Sequence, residues 1–175
     1  MISKLKCTPG IYLVGFMGCG KTVIGDKLAE RLGWSFADLD ADVEREQNTT
    51  ISQIFDLHGE EEFRRLETDA LRKRVRLIQS GKPMVVALGG GAFGQTRNFE
   101  LIENNGVSIW LDCPLEKIRR RLEGCTHRPL ARDPVKLEIL YYTRQESYAR
   151  ADHRIEIASD QPELVVEAVL KLPLF

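Results

Sequence analysis

Ile11-Tyr12-Leu13-Val14-Gly15-Phe16-Met17-Gly18-Cys19-Gly20-Lys21-Thr22-Val23-Ile24 is the stretch that decides the fold. Its apolar head, Ile11 to Val14, reads as a buried parallel strand. Gly15 to Thr22 fits the phosphate-binding pattern G-x-x-x-x-G-K-[ST] in full. From Thr22 onward, Ile24, Leu28 and Leu32 recur at i, i+4 spacing, which stacks them on one face of a helix. Strand, loop and helix therefore follow in the order a phosphate loop requires. The glycines let the backbone curl so that its N–H groups point inward at phosphate oxygens. The helix start adds its positive dipole end. Lys21 reaches the outer phosphates, and Thr22 can place its hydroxyl on Mg²⁺. Cys19 occupies a variable position of the pattern, where the backbone N–H matters and the thiol is incidental.

Strand-like segments at 11–14, 35–38, 84–88, 107–111 and 154–157 alternate with helical ones. Helices are predicted near 20–32, 50–57, 60–79, 96–104, 114–123, 134–149 and 162–170, with Pro114 and Pro162 suited to first turns. The alternation argues an α/β fold with a parallel sheet covered on both faces. The 175 residues make one domain of ordinary size. Two polar segments, 40–75 and 119–133, read as insertions over the carboxyl ends of the strands, where open α/β sheets bind ligands. The second is rich in arginine, as suits a lid closing on nucleotide phosphates. A hydrophobic content of 43%, a charged content of 29% and a net charge of −1 describe a soluble globular chain with no global pull toward nucleic acid or membrane. No apolar stretch approaches the ~18–20 residues of a membrane span. Residues 1–9 show no secretory signal. Cys7, Cys19, Cys113 and Cys125 form no C-x-x-C pair and read as free thiols of a reducing cytosol.

Asp38-Leu39-Asp40 follows the second strand. A carboxylate at a strand end can hold Mg²⁺ through water, and its neighbour but one points the same way toward a second ligand. Helix capping is the alternative, with Asp40 or Asp42 capping a helix that starts near Val43. Asp112 also ends an apolar strand, but the closely following Pro114 favours a structural role at a helix start. The run Gly59-Glu60-Glu61-Glu62-Phe63-Arg64-Arg65-Leu66-Glu67 opens a long helix. Glu60 and Arg64 pair at i, i+4, only one of Arg64 and Arg65 can face a cleft, and Glu67 can orient the Arg64 guanidinium. Gly89-Gly90-Gly91 ends the third strand and permits another molecule to approach the backbone closely. His58, His127 and His153 make no metal-ligand or triad spacing and read as bystanders.

Taken together these motifs resemble the shikimate kinase family, from Ile11 to about Glu167. Beyond the phosphate loop, the resemblance rests on Phe36-x-Asp38-x-Asp40, Ile54-Phe55, Gly59-Glu60, Phe63-Arg64-x-x-Glu67, the triple glycine, Arg128-Pro129-Leu130, and Arg144 with Tyr148 and Ala151-Asp152. It implies a nucleoside-monophosphate-kinase-like fold with five parallel strands ordered 2-3-1-4-5. It also implies a substrate-binding region at about 40–72 and a lid at about 121–133. The implied reaction moves the γ-phosphoryl of ATP to the 3-hydroxyl of shikimate. Gly18, Cys19, Gly20, Lys21, Thr22 and Val23 would hold the phosphates. Lys21 and Arg128 would neutralise the transferring group, Thr22 would ligate Mg²⁺, and Asp38 would hold its water shell. Asp40 would be the general base and would contact the shikimate hydroxyls. Arg64 and Arg144 would bind the carboxylate, and Gly89, Gly90 and Gly91 would line the ring, with Gly90 on its hydroxyls. Arg121 matches the position that packs on adenine, and Asp160-Gln161-Pro162 the loop on its other face. A cytoplasmic monomer is implied. The chain departs from the pattern at Ala131, where a second leucine is common, and at Asp160, where a long side chain is common.

Forked arginines are natural carboxylate clamps, and phosphoryl transfer needs positioning and charge neutralisation more than covalent chemistry. The nearest enzymatic alternative is a related small-molecule kinase such as gluconate kinase, against which Arg64, Arg144 and the triple glycine argue. A regulatory module that binds ATP or shikimate without turnover is the other, and it would be expected to have lost Lys21, Asp38, Asp40 or Arg128.

Overall fold

The first strand of the computed structural model is fully buried, as a central parallel strand must be. β1 (Gly10–Val14) is buried throughout, and Ile11, Tyr12 and Leu13 have no exposed surface. Residues 9–123 and 133–174 are described. After the phosphate loop come α1 (Lys21–Leu32), β2 (Ser35–Asp38), α2 (Leu39–Gln47), α3 (Ile51–Gln79) and β3 (Met84–Ala87). A short 3₁₀ turn, Ala92–Gly94, leads to α4 (Thr96–Glu103), β4 (Val107–Asp112), α5 (Leu115–Leu122), α6 (Pro134–Tyr148), β5 (His153–Glu156) and α7 (Pro162–Leu170).

The five strands form one parallel sheet in the order β2-β3-β1-β4-β5. β1 therefore lies between β3 and β4, and the chain leaves it toward β2 before returning to its other side. Ligands bind at such a reversal, beyond the carboxyl ends of the strands. The phosphate loop after β1, Asp38 at the end of β2 and the glycines after β3 all fall on that edge. No helix among the described residues is long and apolar enough to cross a membrane.

Strand positions agree with the sequence reading to within a residue or so. The helix α2 does not. It starts at Leu39, well before Val43, and its cap is Asp38 rather than Asp40 or Asp42. Asp38 accepts from the N–H groups of Asp40 at 3.1 Å and Ala41 at 3.2 Å. Asp40 thus sits in a helical first turn, and strand alternation does not govern where it points. Asp42 is buried instead, and Arg74 of α3 grips it with two hydrogen bonds of 2.6 and 2.7 Å. This bidentate pair staples α2 to α3.

The two helices expected at 50–57 and 60–79 run together as α3, but Gly59 breaks their hydrogen-bond ladder with φ 81° and ψ 175°. A Thr50–Gln53 capping box starts the element. Asp112 is structural, as expected, but not as a helix cap. Its Oδ2 accepts from Arg154 Nε at 2.9 Å and Nη2 at 2.6 Å on the neighbouring strand, and Pro114 takes the N-cap position of α5.

Candidate active site

The phosphate loop folds over the start of α1 with Gly18 and Gly20 at φ 76° and 98°, a left-handed conformation that glycine alone adopts without strain. Lys21 Nζ donates to the carbonyls of Gly15 at 2.7 Å and Phe16 at 3.0 Å. Its charge is thereby held across the mouth of the loop. The Cys19 N–H donates to Phe16 O at 3.3 Å, and its thiol is buried under the loop, 3.7 Å from Lys21 Nζ. The thiol serves packing. Thr22 Oγ1 donates to Asp38 Oδ2 at 2.6 Å. Asp38 therefore meets two partners at once. One oxygen caps α2, and the other meets the phosphate-loop hydroxyl.

An open cleft of about 750 Å³ runs along this edge. Lys21, Thr22, Asp38, Asp40 and Gly90 line one part, and Lys117, Arg121 and Asp160 line another. Arg121 donates from Nη1 to Gly18 O at 3.1 Å and from Nη2 to Asp160 Oδ1 at 2.9 Å. Lys117 Nζ approaches the same Asp160 oxygen at 3.5 Å and bonds Ala158 O at 2.8 Å. The Arg121 hydrogen bond, then Lys117, holds the Asp160 carboxyl below the usual range. Asp160 and Arg121, matched separately in the sequence to the two faces of adenine, are thus partners. Lys117 is a cleft cation that the sequence reading did not single out, since one lysine in the helical run 115–122 carries no motif.

Beyond the phosphate loop, the triple glycine gathers the remaining charged groups. A Cβ at Gly89 would stand 2.6 Å from Asp40 Oδ1 and 2.8 Å from Glu67 Oε1. One at Gly90 would stand 2.8 Å from Arg144 Nη1, and one at Gly91 would overlap the Arg64 guanidinium. Each glycine thus makes room for a different side chain, and residues from α2, α3 and α6 converge on three consecutive peptides.

Arg64 is anchored by Glu67 Oε2 at 2.9 Å and by Glu60 at 3.3 Å. Burial works against the Arg64 charge, but Glu67 and Glu60 outweigh it and keep the guanidinium ionised. Glu67 has no exposed surface, and burial pushes its carboxyl above the ordinary range despite Arg64. Arg65 turns outward to Glu62 and Asp69. Arg64 also borders an adjoining surface groove with His58, Arg97 and Arg65. Arg144 lies over the Phe16 ring, 5.7 Å from its centroid, which ties the arginine to the phosphate loop.

Val23 is half exposed on the first turn of α1 and lines the cleft. His153 opens β5, away from these groups. Cys19 and Cys113 are free thiols. Arg128, Ala131, Cys7, Cys125, His127 and most of the expected lid lie outside the described residues.

The family model described as Shikimate kinase matches residues 17–172. The chain is 39% identical over 161 residues to the shikimate kinase of Persephonella marina, an alignment covering 91% of this chain and 96% of that protein. It is 41% identical over 162 residues to the shikimate kinase of Geobacter sulfurreducens, covering 91% and 87%. Among solved structures, the shikimate kinase from Acinetobacter baumannii in complex with shikimate is similar at a TM-score of 0.87 and 36% identity, over 95% of this chain and 93% of that one.

Proposed function

The chain belongs to the shikimate kinase family, and from that premise we propose how its own residues carry out the reaction. The enzyme uses ATP to phosphorylate shikimate, giving shikimate 3-phosphate and ADP in aromatic amino-acid biosynthesis. The observation that carries the assignment of its residues is the convergence of Asp40, Arg64 and Arg144 on Gly89-Gly90-Gly91, beside the phosphate loop. A small hydroxylated carboxylate needs a base, a cationic clamp and a close backbone, and these are the groups that meet there.

In this reading Arg64 and Arg144 take the shikimate carboxylate. Glu67 keeps the Arg64 fork oriented, and Phe16 supports Arg144. Asp40 takes the proton of the attacking hydroxyl, and the bare backbone at Gly90 lets the ring approach. The phosphates lie against Gly18 to Val23. Lys21 exchanges its two loop carbonyls for phosphate oxygens, and its charge then offsets the charge on the transferring group. Arg128 adds a second cation in this proposal, on the strength of the Arg-Pro-Leu motif alone. The nucleoside extends toward Arg121, Asp160 and Lys117, the part of the cleft remote from the triple glycine.

The Thr22 hydroxyl and Asp38 carboxylate, 2.6 Å apart beside the phosphate loop, suit Mg²⁺, a hard cation that takes oxygen ligands and keeps several waters. Among the described residues no cluster of three or more metal-binding side chains exists, so phosphate and water oxygens would complete its shell. Bound there, the ion would offset phosphate charge. Both substrates are met by residues of one chain, which supports a monomer as the working unit, with a substrate-binding region over α2 and the start of α3 and a lid at about 121–133. An ATP donor fits a cytoplasmic site of action.

The test is a coupled ADP-release assay with ATP·Mg²⁺ against shikimate, quinate and gluconate. Shikimate should be turned over far faster than the other two. Preference for gluconate would assign the chain to a different acceptor.

A further inference from the structure

Tyr148 is the last residue of α6 and is 1% exposed. Trp110 backs its ring at 6.0 Å between centroids. A buried hydroxyl must find a partner, and this one donates to the carbonyl of Gly90 at 2.5 Å. The Arg144 guanidinium faces the same phenol, four residues back on the same helix. One hydroxyl therefore bonds Gly90 and stands beside Arg144, the two groups that the proposed substrate reading puts on shikimate at this position.

The need for such a tie follows from the triple glycine. Three residues without Cβ atoms impose few steric limits on their own peptides. Among the described contacts, the turn is closed by one internal bond, from Ala92 N–H to Gly89 O at 3.0 Å. That bond leaves the Gly90–Gly91 peptide free to rotate. The Tyr148 hydroxyl fixes this peptide by its oxygen, and a trans peptide then points its N–H the opposite way. A Gly90 Cβ would lie 3.8 Å from the phenol oxygen and 2.8 Å from Arg144 Nη1, so backbone, phenol and guanidinium form one contiguous layer. Burial pushes the phenol well above its ordinary range, which leaves the hydroxyl a donor throughout the working pH range.

We propose that Tyr148 is a positioning residue for the acceptor substrate, its hydroxyl holding the Gly90 peptide and the Arg144 guanidinium in one fixed arrangement before shikimate arrives. This rests on the assignment of Gly90 and Arg144 to shikimate.

Tyr148→Phe removes the oxygen alone and tests it. The Michaelis constant for shikimate should rise about five- to tenfold, as expected when a buried acceptor loses its donor. That for ATP should stay within about twofold. In an Arg144→Lys background the same change should raise it by much less, because the two residues act through one contact. A purely structural tyrosine would lower the melting temperature and leave the ratio of the two constants unchanged, and that result overturns the proposal. Equal effects in the two backgrounds overturn it as well. The wild-type protein gives a second test that needs no variant. The Gly91 amide, on the peptide whose oxygen Tyr148 holds, should show a rigid backbone NMR order parameter in the free protein that changes little with shikimate. An amide that is mobile in the free protein and becomes rigid only with shikimate would show the peptide is not held beforehand. An unaltered shikimate constant in Tyr148→Phe refutes the tyrosine's role while leaving the kinase activity standing. Absence of shikimate turnover by the wild type removes both.

Discussion

Gly18 and Gly20 in the loop after β1 hold φ values of 76° and 98°, whereas none of Gly89, Gly90 and Gly91 after β3 has a positive φ. The first pair is glycine because of backbone conformation. The second group is glycine because of space, since any Cβ there would press on Asp40, Glu67, Arg144 or Arg64. A strained backbone raises the energy of the fold wherever it occurs. A crowded side chain at the tip of a flexible arm moves aside, and what suffers is its aim. Substitutions in the two clusters should therefore differ in kind. The loop should lose stability and nucleotide affinity, and the triple glycine should lose shikimate handling with little loss of stability.

The largest effect should come from Asp40→Asn, which leaves the shape of the crowded site intact and removes its base. Turnover should fall about 10²–10⁴-fold, the usual range for general-base loss, with an unchanged melting curve. Near-normal turnover in a folded variant would remove Asp40 from that role.

Gly89→Ala and Gly20→Ala set the two clusters side by side. The Gly89 Cβ would displace Asp40, so turnover should drop by up to about a hundredfold, the scale for misplacing a reacting group by an ångström. Stability should scarcely change. Gly20→Ala should cost about 1–2 kcal/mol of stability for its left-handed backbone and should raise the Michaelis constant for ATP. Paired melting curves and kinetics decide, and a Gly89→Ala variant that is unstable but fully active would invert the comparison.

Arg64→Lys and Arg144→Lys should each raise the Michaelis constant for shikimate about tenfold, because an ammonium replaces a two-pronged grip with a point charge. The constant for ATP should barely move. If only the ATP constant responds, these arginines serve the nucleotide.

Glu67 makes a smaller, pH-dependent contribution. Burial first, against the pull of Arg64, holds its carboxyl above the usual 4.5. The folded chain therefore binds that proton more tightly than the unfolded chain. The resulting stability is fully present below about 4.5 and is lost as pH rises through the raised folded value. Glu67→Gln has no such proton to lose. Urea denaturation across this range should show the wild type losing stability relative to the variant as pH increases. Parallel profiles would mean that Glu67 is ionised as readily in the fold as outside it. The smallest effect should be Arg65→Ala, close to wild type in both kinetics and stability, because its exposed pairs with Glu62 and Asp69 are worth little. A clear loss of turnover would show that the outward face of α3 takes part in the site.

The phosphate loop was legible because everything that defines it is local. Its glycine spacing, Lys21-Thr22, the apolar strand before it and the 3.6-residue repeat after it all lie within 22 residues, 11–32. The family could be read for a similar reason, since short motifs in a fixed sequence mark each strand end, and the strand order came only with that resemblance. Sequence also showed that Glu67 could serve Arg64, because i, i+3 neighbours share a helix face. It offered Asp40 or Asp42, not Asp38, as the cap of the following helix. A two-residue spacing has one meaning in a strand and another across a strand end, and only the structure shows that Asp38 caps a helix while meeting Thr22. Tertiary structure alone decided that Arg121 joins Asp160 to the phosphate loop across 39 residues, and that Tyr148 reaches Gly90 across 58. It alone gave each glycine of 89–91 its own charged neighbour. These contacts depend on where separate helices cross the sheet edge, and no local periodicity encodes a distance between elements so far apart in the chain.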